Sequence, residues 1–553
     1  MKSLKHIHYF LLTLLILSVS SCNYLEYDET SFNRKEDVFS DFNRSKNFLT
    51  GIYNYLPTDF NSIDGAMRAS ASDEAEHVLD LSNIQRFNQG RYSALQPIDN
   101  VWGEMYSGIR AANMFLKETE GQEFLEDQFN LDYPQMIEQF NNYAYEARFL
   151  RAFFYFELVK RYKNIPLITE VLTTEEAINA KQNTFDEVVS FIISECDAIS
   201  SELPEDYTNF SDVAETGRAT KGAALALKAR MLLYAASPLH NTNNDVSIWV
   251  DAASAAKSVI DLNVYTLENN YSNVVNNFTS NELIFERRQG NSNDFERINF
   301  PVGFEGGNTG TCPTQNLVDA YEMQSNGLAI SDPASGYDPT NPYSGRDPRL
   351  QQTVIVNGSN WKGQTVESFI GGANGKPITN ATKTGYYLKK YVIEAINLSP
   401  TNTTSREHTW VLFRYGEILL NYAEAMNEAY GPENGATFGL TALDAVNQVR
   451  QRVNMPNFPA GLSQSEFREK LRNERMIELA FEDHRFWDIR RWKIGQQTTN
   501  IFQMEIRPNN TGGGFIFDKK LLEVRPFEER MNIYPIPQAE LFKNENLTQN
   551  TGW

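Results

Sequence analysis

The chain has 553 residues, of which 41% are apolar and 22% charged, a composition typical of a globular protein. This length accommodates about two to four ordinary domains or one large helical array. The 71 acidic residues outnumber the 50 basic ones and give a formal net charge of −21. That charge argues against nucleic acid or another polyanion as the main ligand.

The N-terminus has the pattern of an export signal. Lys2 and Lys5 precede an apolar run at residues 9–17, which is shorter than the roughly 20 residues of a membrane span. The small residues Val19, Ser20 and Ser21 then lead to Cys22, and this stretch is similar to a bacterial lipobox. We predict a lipoprotein signal peptide at 1–21 and lipid on Cys22; the alternative is an ordinary secretory signal with a chance cysteine.

Residues 144–165 predict a central core helix. At 100° per residue they carry apolar side chains in nearly every direction, so we expect the helix to be buried on most sides. Arg148 and Arg151 point away from the polar stripe, so we expect them to be buried or half-buried and to need carboxylate partners. The one polar stripe expected to face solvent consists of Glu146, Glu157, Lys160 and Arg161.

Helical periodicity recurs along the chain in two groups of candidate helices. The first group comprises 36–56, 98–119, 133–162, 185–203, 220–236 and 248–261, and the second 417–430, 443–453, 465–481 and 484–492. Alanines at helical spacing in 220–236 and 248–261 would allow the close approach seen in tetratricopeptide-type (TPR-like) helix pairs. We predict a mainly α fold with a TPR-like helix-pair scaffold.

Residues 301–410 interrupt the helical pattern. They hold 13 of the 32 glycines and many Asn, Thr and Pro residues. The segment also contains tyrosines and tryptophans, which disordered segments usually lack. We therefore predict ordered binding loops with a few short strands.

Several sequence blocks carry a family resemblance. They are EARFLRAFFYFELV at 146–159, TKGAALALKARMLLYAASP at 220–238, RDPRL at 346–350, RYGEILLNYAEA at 414–425, NERMIELAFEDHRFWDIRRW at 473–492, YPIP at 534–537 and the ending NLTQNTGW. Together they resemble the SusD/RagB family of outer-membrane nutrient-binding lipoproteins of Bacteroidetes, and the lipobox fits the same family. The acidic residues after Cys22 also resemble a surface-export signal of such lipoproteins.

The resemblance implies a cell-surface protein, anchored to the outer membrane by lipid and facing the exterior. It would capture oligosaccharides and deliver them to a SusC-like TonB-dependent transporter, without catalytic activity or a cofactor. The same role for peptides or another nutrient is an alternative. The expected organisation is a signal peptide at 1–21, a tether at 22–34, an N-terminal helical part at 35–300, the glycine-rich segment at 301–410 and a C-terminal helical part at 411–553, with 22–553 as one structural unit.

Two regions combine the aromatic faces and the polar groups that bind glycans. The candidate ligand-binding residues are Asp59, Asn61, Asp73, Arg91, Tyr92 and Trp102 in the early loops, and Cys312, Tyr343, Tyr386, Arg406 and Trp410 in the later region. Trp102 begins a predicted helix, so simple packing is its alternative role. No metal site is predicted, although the Asp- and Asn-rich loops leave a structural calcium ion open.

A charged block at 472–492 offers an alternative enzymatic interpretation. Its carboxylates could form the acid/base pair of a surface glycoside hydrolase. Arginines alternate with them so densely that ion pairs should keep the carboxylate pKa values low, the opposite of what a general acid needs. We therefore predict a structural ion-pair network of Arg148, Arg151, Glu474, Arg475, Glu478, Arg485 and Asp488. Cys196 and Cys312 are expected to be buried thiols, with one disulfide as the alternative.

Overall fold

The computed structural model describes residues 34–207 and 215–553, so the predicted signal peptide and Cys22 lie outside the described residues. The described chain is mainly helical, with small two-stranded antiparallel sheets, which confirms the predicted fold class. Within these residues no helix is both long and apolar enough to cross a bilayer.

Seventeen α-helices are found in the described residues. They are α1 (Lys35–Phe39), α2 (Phe42–Ile52), α3 (Gln85–Asn88), α4 (Trp102–Glu118), α5 (Tyr133–Tyr162), α6 (Thr174–Ile178), α7 (Phe185–Ser200), α8 (Lys221–Ala236), α9 (Val246–Ile260), α10 (Asp294–Asn299), α11 (Gln315–Ala320), α12 (Arg349–Thr353), α13 (Tyr415–Tyr430), α14 (Ala442–Arg452), α15 (Gln464–Glu478), α16 (Arg485–Arg491) and α17 (Gln538–Lys543).

The strands form five separate antiparallel pairs in the described residues. They are β1 (Ala75–His77) with β3 (Thr311–Pro313), β2 (Leu283–Ser292) with β8 (Arg406–Arg414), β4 (Val354–Ile355) with β7 (Tyr387–Leu388), β5 (Asn360–Trp361) with β6 (Gln364–Thr365), and β9 (Asn500–Pro508) with β10 (Phe515–Val524). The β2/β8 pair joins distant parts of the chain, and β8 leads directly into α13.

The long helices pack side by side as a scaffold. Helix α4 packs on α5, and the array continues through α7, α8 and α9 to α13, which also contacts α14 and α15. All but one of the alanines of α8 and α9 are buried where these helices pack, as their spacing predicted. Side-chain caps begin several of these helices; Thr184 and Glu187, for example, form a capping box at α7.

Every residue of helix α5 from Phe149 to Tyr162 is buried, and one expectation about this helix is wrong. The stripe of Glu146, Glu157, Lys160 and Arg161 is buried, not exposed to solvent. The reason is that each charge has a partner from the protein: Glu146 binds Arg218 at 2.9 Å, and Glu157 binds Lys160 at 2.6 Å. Buried charges persist where they are paired in this way.

Arg148 and Arg151 of α5 share one carboxylate. Their guanidinium groups lie 2.9 and 2.8 Å from the two oxygens of Glu195 on α7. Arg151 is buried, whereas Arg148 is partly exposed at the edge of the helix pair. The pair of arginines therefore links α5 to α7 by charge as well as by apolar packing.

The glycine-rich segment is ordered and builds a small second core. Its buried side chains are Phe300, Phe304, Ile355, Trp361, Val366, Tyr387, Ile396 and Leu398. Cys312 on β3 and Cys196 on α7 are both buried and unbonded. The division at residues 300 and 410 stays a prediction of domain organisation.

Candidate ligand-binding cleft

A cleft of about 430 Å³ opens beside the N-terminal end of α4. Two early loops, the first turn of α4, one side chain of α5 and one of β2 form its walls. The lining residues are Pro57, Thr58, Ser62, Ile63, Asp64, Arg68, Asn83, Arg86, Pro97, Ile98, Asp99, Asn100, Val101, Glu104, Met105, Arg161 and Arg287.

Buried ion pairs form the floor of this cleft. Arg68 binds both oxygens of Asp99 at 2.8 and 3.2 Å, and its other terminal nitrogen lies 2.7 Å from Asp483. Arg161 reaches Asp99 at 3.1 Å. Burial alone would raise the pKa of Asp99, but Arg161 and Arg68 outweigh it and hold that pKa well below its usual range. The floor charges thus neutralise one another, which suits a rigid support.

Two arginines at the mouth of the cleft differ from those of the floor. Among the described residues, neither Arg86 nor Arg287 has a carboxylate within ion-pair distance. Arg86 donates to the carbonyl oxygen of Gln96 at 2.8 Å, and Arg287 donates to the carbonyl oxygen of Leu56. Each guanidinium therefore keeps several N–H donors for another molecule, because a guanidinium carries five.

Two carboxylates complete the mouth. Asp64 accepts the backbone N–H of Asn83 at 2.9 Å, and Glu104 stands exposed on the first turn of α4. In the part of the chain that the structure describes, neither carboxylate forms an ion pair. Together with the arginines they present both donors and acceptors around a space large enough for a small oligosaccharide segment.

The loop at 59–61 supports one wall of the cleft from behind. Asp59 is buried and accepts the backbone N–H of Arg68 at 2.7 Å and the hydroxyl of Ser62 at 2.5 Å. Burial raises the pKa of Asp59 to about 7, although Arg68 opposes this. Asn61 has a positive φ of 55° and accepts from Asn299 at 3.0 Å. Asp59 therefore braces the wall from behind and is not among the residues lining the cleft.

Between these two residues, Phe60 enters an aromatic box. Its ring centroid lies 5.0 Å from that of Phe295, 5.1 Å from Trp410, 5.3 Å from Tyr391 and 5.6 Å from His408. These distances suit the edge-to-face arrangements that aromatic rings prefer. The two regions singled out in the sequence thus meet here, with the early loop packed on β8 and the segment before it.

Most of the other predicted ligand contacts are buried in protein. Asp73 forms a two-bond ion pair with Arg485, and Tyr386 donates to Gln315 at 2.5 Å. The structure leaves no open ligand-facing surface on the fully enclosed candidates, which are Asp59, Asp73, Tyr92, Cys312, Tyr386 and Trp410. Asn61, Arg91, Tyr343 and Arg406 keep some exposure and stay predictions.

Trp102 lies on the opposite side of α4 from the cleft. It is only 6% exposed and packs against Tyr106 and Tyr162, with ring centroids 5.2 and 5.1 Å away. It borders a separate, mainly apolar cavity of about 320 Å³ together with Ile109 and Ile168. Its packing role is therefore evident, and its share in any ligand contact stays a prediction.

The carboxylates considered for hydrolysis are deeply buried and fully paired. Glu474 lies 2.7 Å from Arg349 and 2.6 Å from Arg450. Glu478 contacts Arg349 at 2.8 Å and Arg414 at 2.7 Å. Burial would raise the pKa of Glu478, but the surrounding arginines hold it well below its usual range. A carboxylate in this state cannot serve as a general acid near neutral pH.

The remaining members of the predicted network belong to a neighbouring cluster. Arg475 lies 3.2 Å from Asp488, which also contacts Arg491 at 2.7 Å. Arg485 pairs with Asp73, as described above. Across residues 34–207 and 215–553, no group of three or more His, Cys, Asp or Glu side chains is placed to hold a metal ion.

Sequence analysis did not single out the mouth residues Asp64, Asn83, Glu104 and Arg287. Arg287 lies next to Arg288 on a strand, and Glu104 lies in an ordinary first helical turn. Neither belongs to a motif. The available signal was the local concentration of Asp, Asn and Arg in residues 59–100, which identified the region but not the individual side chains.

Comparisons with known proteins agree with this fold. Residues 281–553 match the model of the SusD family, and residues 23–233 match a model described as starch-binding associating with outer membrane. SusD-like protein P25 of Formosa agariphila is 23% identical over 97% of this chain and 96% of its own length. SusD-like protein P2 of the same organism is 24% identical, with 97% of each chain covered.

Solved structures show the same relationship. A SusD-like protein of Bacteroides fragilis NCTC 9343 is 28% identical and has a TM-score of 0.77, covering 93% of this chain and 98% of its own. A second protein of that strain, titled a SusD-like carbohydrate binding protein, is 26% identical with a TM-score of 0.74, covering 92% and 100%. The two family models together cover most of the chain. The chain belongs to the SusD/RagB family.

Proposed function

We propose that this protein captures an oligosaccharide at the cell surface and delivers it to a SusC-like TonB-dependent transporter in the outer membrane. Lipid on Cys22 would hold it there, facing the exterior. The observation that carries the proposal is the polar cleft, whose mouth holds two arginines and two carboxylates that form no ion pair among the described residues. The protein would bind its ligand without chemical change.

The chemistry of the cleft favours a ligand rich in hydroxyl groups. A sugar hydroxyl both donates and accepts, so neighbouring hydroxyls can bridge a guanidinium and a carboxylate such as Arg287 and Glu104. Asn83 adds an amide with the same double capacity, and Thr58 adds a hydroxyl. An extended apolar peptide would leave these charged groups unpaired on binding, which is costly.

Hydrogen bonding, and not ring stacking, would supply most of the affinity. The residues that line the cleft include no aromatic side chain, although the sequence had suggested stacking by Tyr or Trp. Binding should therefore be enthalpy-driven, with a small heat-capacity change because little apolar surface is buried. Aromatic residues support the site from behind, through the box around Phe60.

Two comparisons support the place and the ligand class. The description of one matching family model names association with the outer membrane, and one similar solved structure is titled a carbohydrate binding protein. The transporter partner follows from the family resemblance. Closure of the protein over such a partner would raise affinity if both contribute ligand contacts only in the closed state.

Calorimetric titration with a panel of soluble glycans and peptides tests the ligand class. Glu104→Gln and Arg287→Met should each weaken glycan binding by roughly tenfold, the equivalent of about 1.4 kcal/mol. Arg110→Met is the matched control, because Arg110 also donates to one backbone carbonyl but lies on the other side of α4. Equal affinity in all three variants, or binding of peptides only, would refute the cleft as the glycan site.

Two further measurements separate the alternatives. Co-purification of the transporter with this protein in mild detergent is expected, and its absence would count against the delivery role. Incubation of purified protein with bound glycans should release no new reducing ends. Release of reducing ends by the purified protein would favour the hydrolase alternative.

A further inference from the structure

The loop between α4 and α5 exposes three large apolar side chains within seven residues. Leu125, Phe129 and Leu131 are 58%, 88% and 103% exposed. Apolar side chains grouped on a surface in this way mark a contact with a partner or a membrane, whereas scattered single ones need no explanation. The loop therefore has a contact surface that the ligand cleft does not account for.

This loop is tightly built, although its tip is exposed. Phe124 turns inward with a positive φ of 49°, and its ring lies 4.5 Å from that of Phe140 and 5.9 Å from that of Phe42. The hydroxyl of Tyr133 donates to the carbonyl oxygen of Glu123 at 2.6 Å. The buried Phe124 thus anchors the loop, while its neighbours are directed outward.

The loop lies at the end of the molecule where the described chain begins. Lys35, the first residue of α1, pairs at 2.9 Å with Glu118, the last residue of α4. The ring contact between Phe42 and Phe124 joins α2 to the loop itself. Cys22 precedes Arg34 by twelve residues, which span at most about 40 Å when fully extended. A lipid on Cys22 would therefore hold this end of the protein close to the bilayer.

We propose that residues 124–131 form a second membrane contact, with Leu125, Phe129 and Leu131 entering the lipid interface beside the acyl anchor. The inference rests on the anchoring of the proposed function. Aromatic and aliphatic side chains at a loop tip favour the headgroup and acyl boundary. A second contact beside the anchor would restrict the orientation of the cleft relative to the membrane.

The charges around the tip define which lipid surface suits it. Glu123, Glu126 and Asp132 are exposed beside the apolar side chains. Anionic headgroups would repel these carboxylates, and this repulsion opposes insertion. A headgroup surface without net charge, such as phosphatidylcholine, therefore measures the apolar contact free of this repulsion.

A site-specific fluorophore tests the contact in the full acylated chain. Phe129→Cys and Leu131→Cys are labelled with an environment-sensitive dye, and Leu81→Cys, at a position 96% exposed on another loop, is the matched control. Cys196 and Cys312 are buried, so the dye attaches to the introduced cysteine. The proteins are reconstituted on phosphatidylcholine vesicles that contain nitroxide-labelled lipid, and unchanged thermal melting confirms that each variant folds.

The expected result is a blue shift and loss of fluorescence at positions 129 and 131, with no change at position 81. Flotation with the vesicles reports lipid anchoring separately. Proteins that float but show no quenching at 129 or 131 would overturn the membrane contact and leave the proposed anchoring intact. A dye response at 129 only after addition of the transporter would assign the loop to a protein partner and also overturn it. Failure to float would contradict the lipid anchoring on which this inference rests and would overturn the membrane contact with it, whereas calorimetry tests glycan capture independently.

Discussion

Replacement of Arg349 by methionine tests how much the buried ion-pair cluster between α12 and α15 contributes to stability. Arg349 is fully buried on α12 and binds Asp347 at 2.6 and 3.0 Å. Its other terminal nitrogen reaches Glu474 at 2.7 Å and Glu478 at 2.8 Å on α15. Arg349→Met keeps much of the side-chain volume and removes all of these bonds.

The cost of the change depends on which carboxylate loses its last partner. Glu474 retains Arg450, and Glu478 retains Arg414. Asp347 has no second cation within ion-pair distance among the described residues. Breaking a buried pair in this way costs about 3–5 kcal/mol, because one charge is left uncompensated. With an unfolding entropy near 2 cal/mol/K per residue, a chain of this size should lose roughly 3–5 °C in Tm.

Two companion variants make the reasoning refutable. The double variant Asp347→Asn/Arg349→Met should be more stable than Arg349→Met alone, because it no longer buries an unpaired charge. Arg468→Met, which breaks a half-exposed pair with Glu428, should cost only about 0–1 kcal/mol. Thermal and denaturant unfolding followed by circular dichroism measure all three. A loss below about 1 kcal/mol for Arg349→Met, or equal losses for the single and double variants, would contradict the argument.

Three other outcomes follow from the structure. Phe60→Ala should empty the aromatic box, loosen the cleft wall and weaken glycan binding about tenfold. Phe60→Leu should keep most of the wild-type affinity, and equal affinities of these two variants in calorimetry would contradict this. Burial lowers the pKa of His77 to about 4, below the unfolded value near 6.5, so the neutral form is favoured on folding and wild-type stability should fall as pH drops from about 6.5 to about 4. Over this pH range the His77→Gln variant should lose up to about 3 kcal/mol less stability than the wild type. Parallel pH profiles of the free energy of unfolding for the two proteins would contradict this. The buried thiols of Cys196 and Cys312 should react with a thiol reagent only after unfolding, and rapid reaction in the native protein would refute their burial.

The helices could be predicted closely because local signals coincide with the packing. Periodicity at 133–162 predicted the observed bounds of α5, and the predicted segment 220–236 differs from α8 by one residue. The segment at 36–56 was predicted as one helix but forms two main pieces. Asp41 accepts the backbone N–H of Arg44 at 2.8 Å and so caps the start of α2, a choice that periodicity alone does not reveal.

The polar stripe of α5 shows where periodicity stops being informative. A stripe of charged side chains on one helix face normally indicates solvent exposure. Here Arg218 and Asp99, from segments far along the chain, supply opposite charges to Glu146 and Arg161. Only the tertiary structure brings these partners together, so a single-sequence pattern cannot distinguish a solvated face from a buried network.

The candidate site required the same kind of long-range information. Asp59 and Trp410 were predicted as ligand contacts, but both lie behind the cleft wall. Asp59 accepts the backbone N–H of Arg68, and Trp410 packs against Phe60. Arg287 reaches the mouth from β2, whose bulged pairing with β8 sets the direction of each side chain. Because a shift of one residue in that pairing would direct Arg287 to the opposite face, the composition of the mouth depends on strand register.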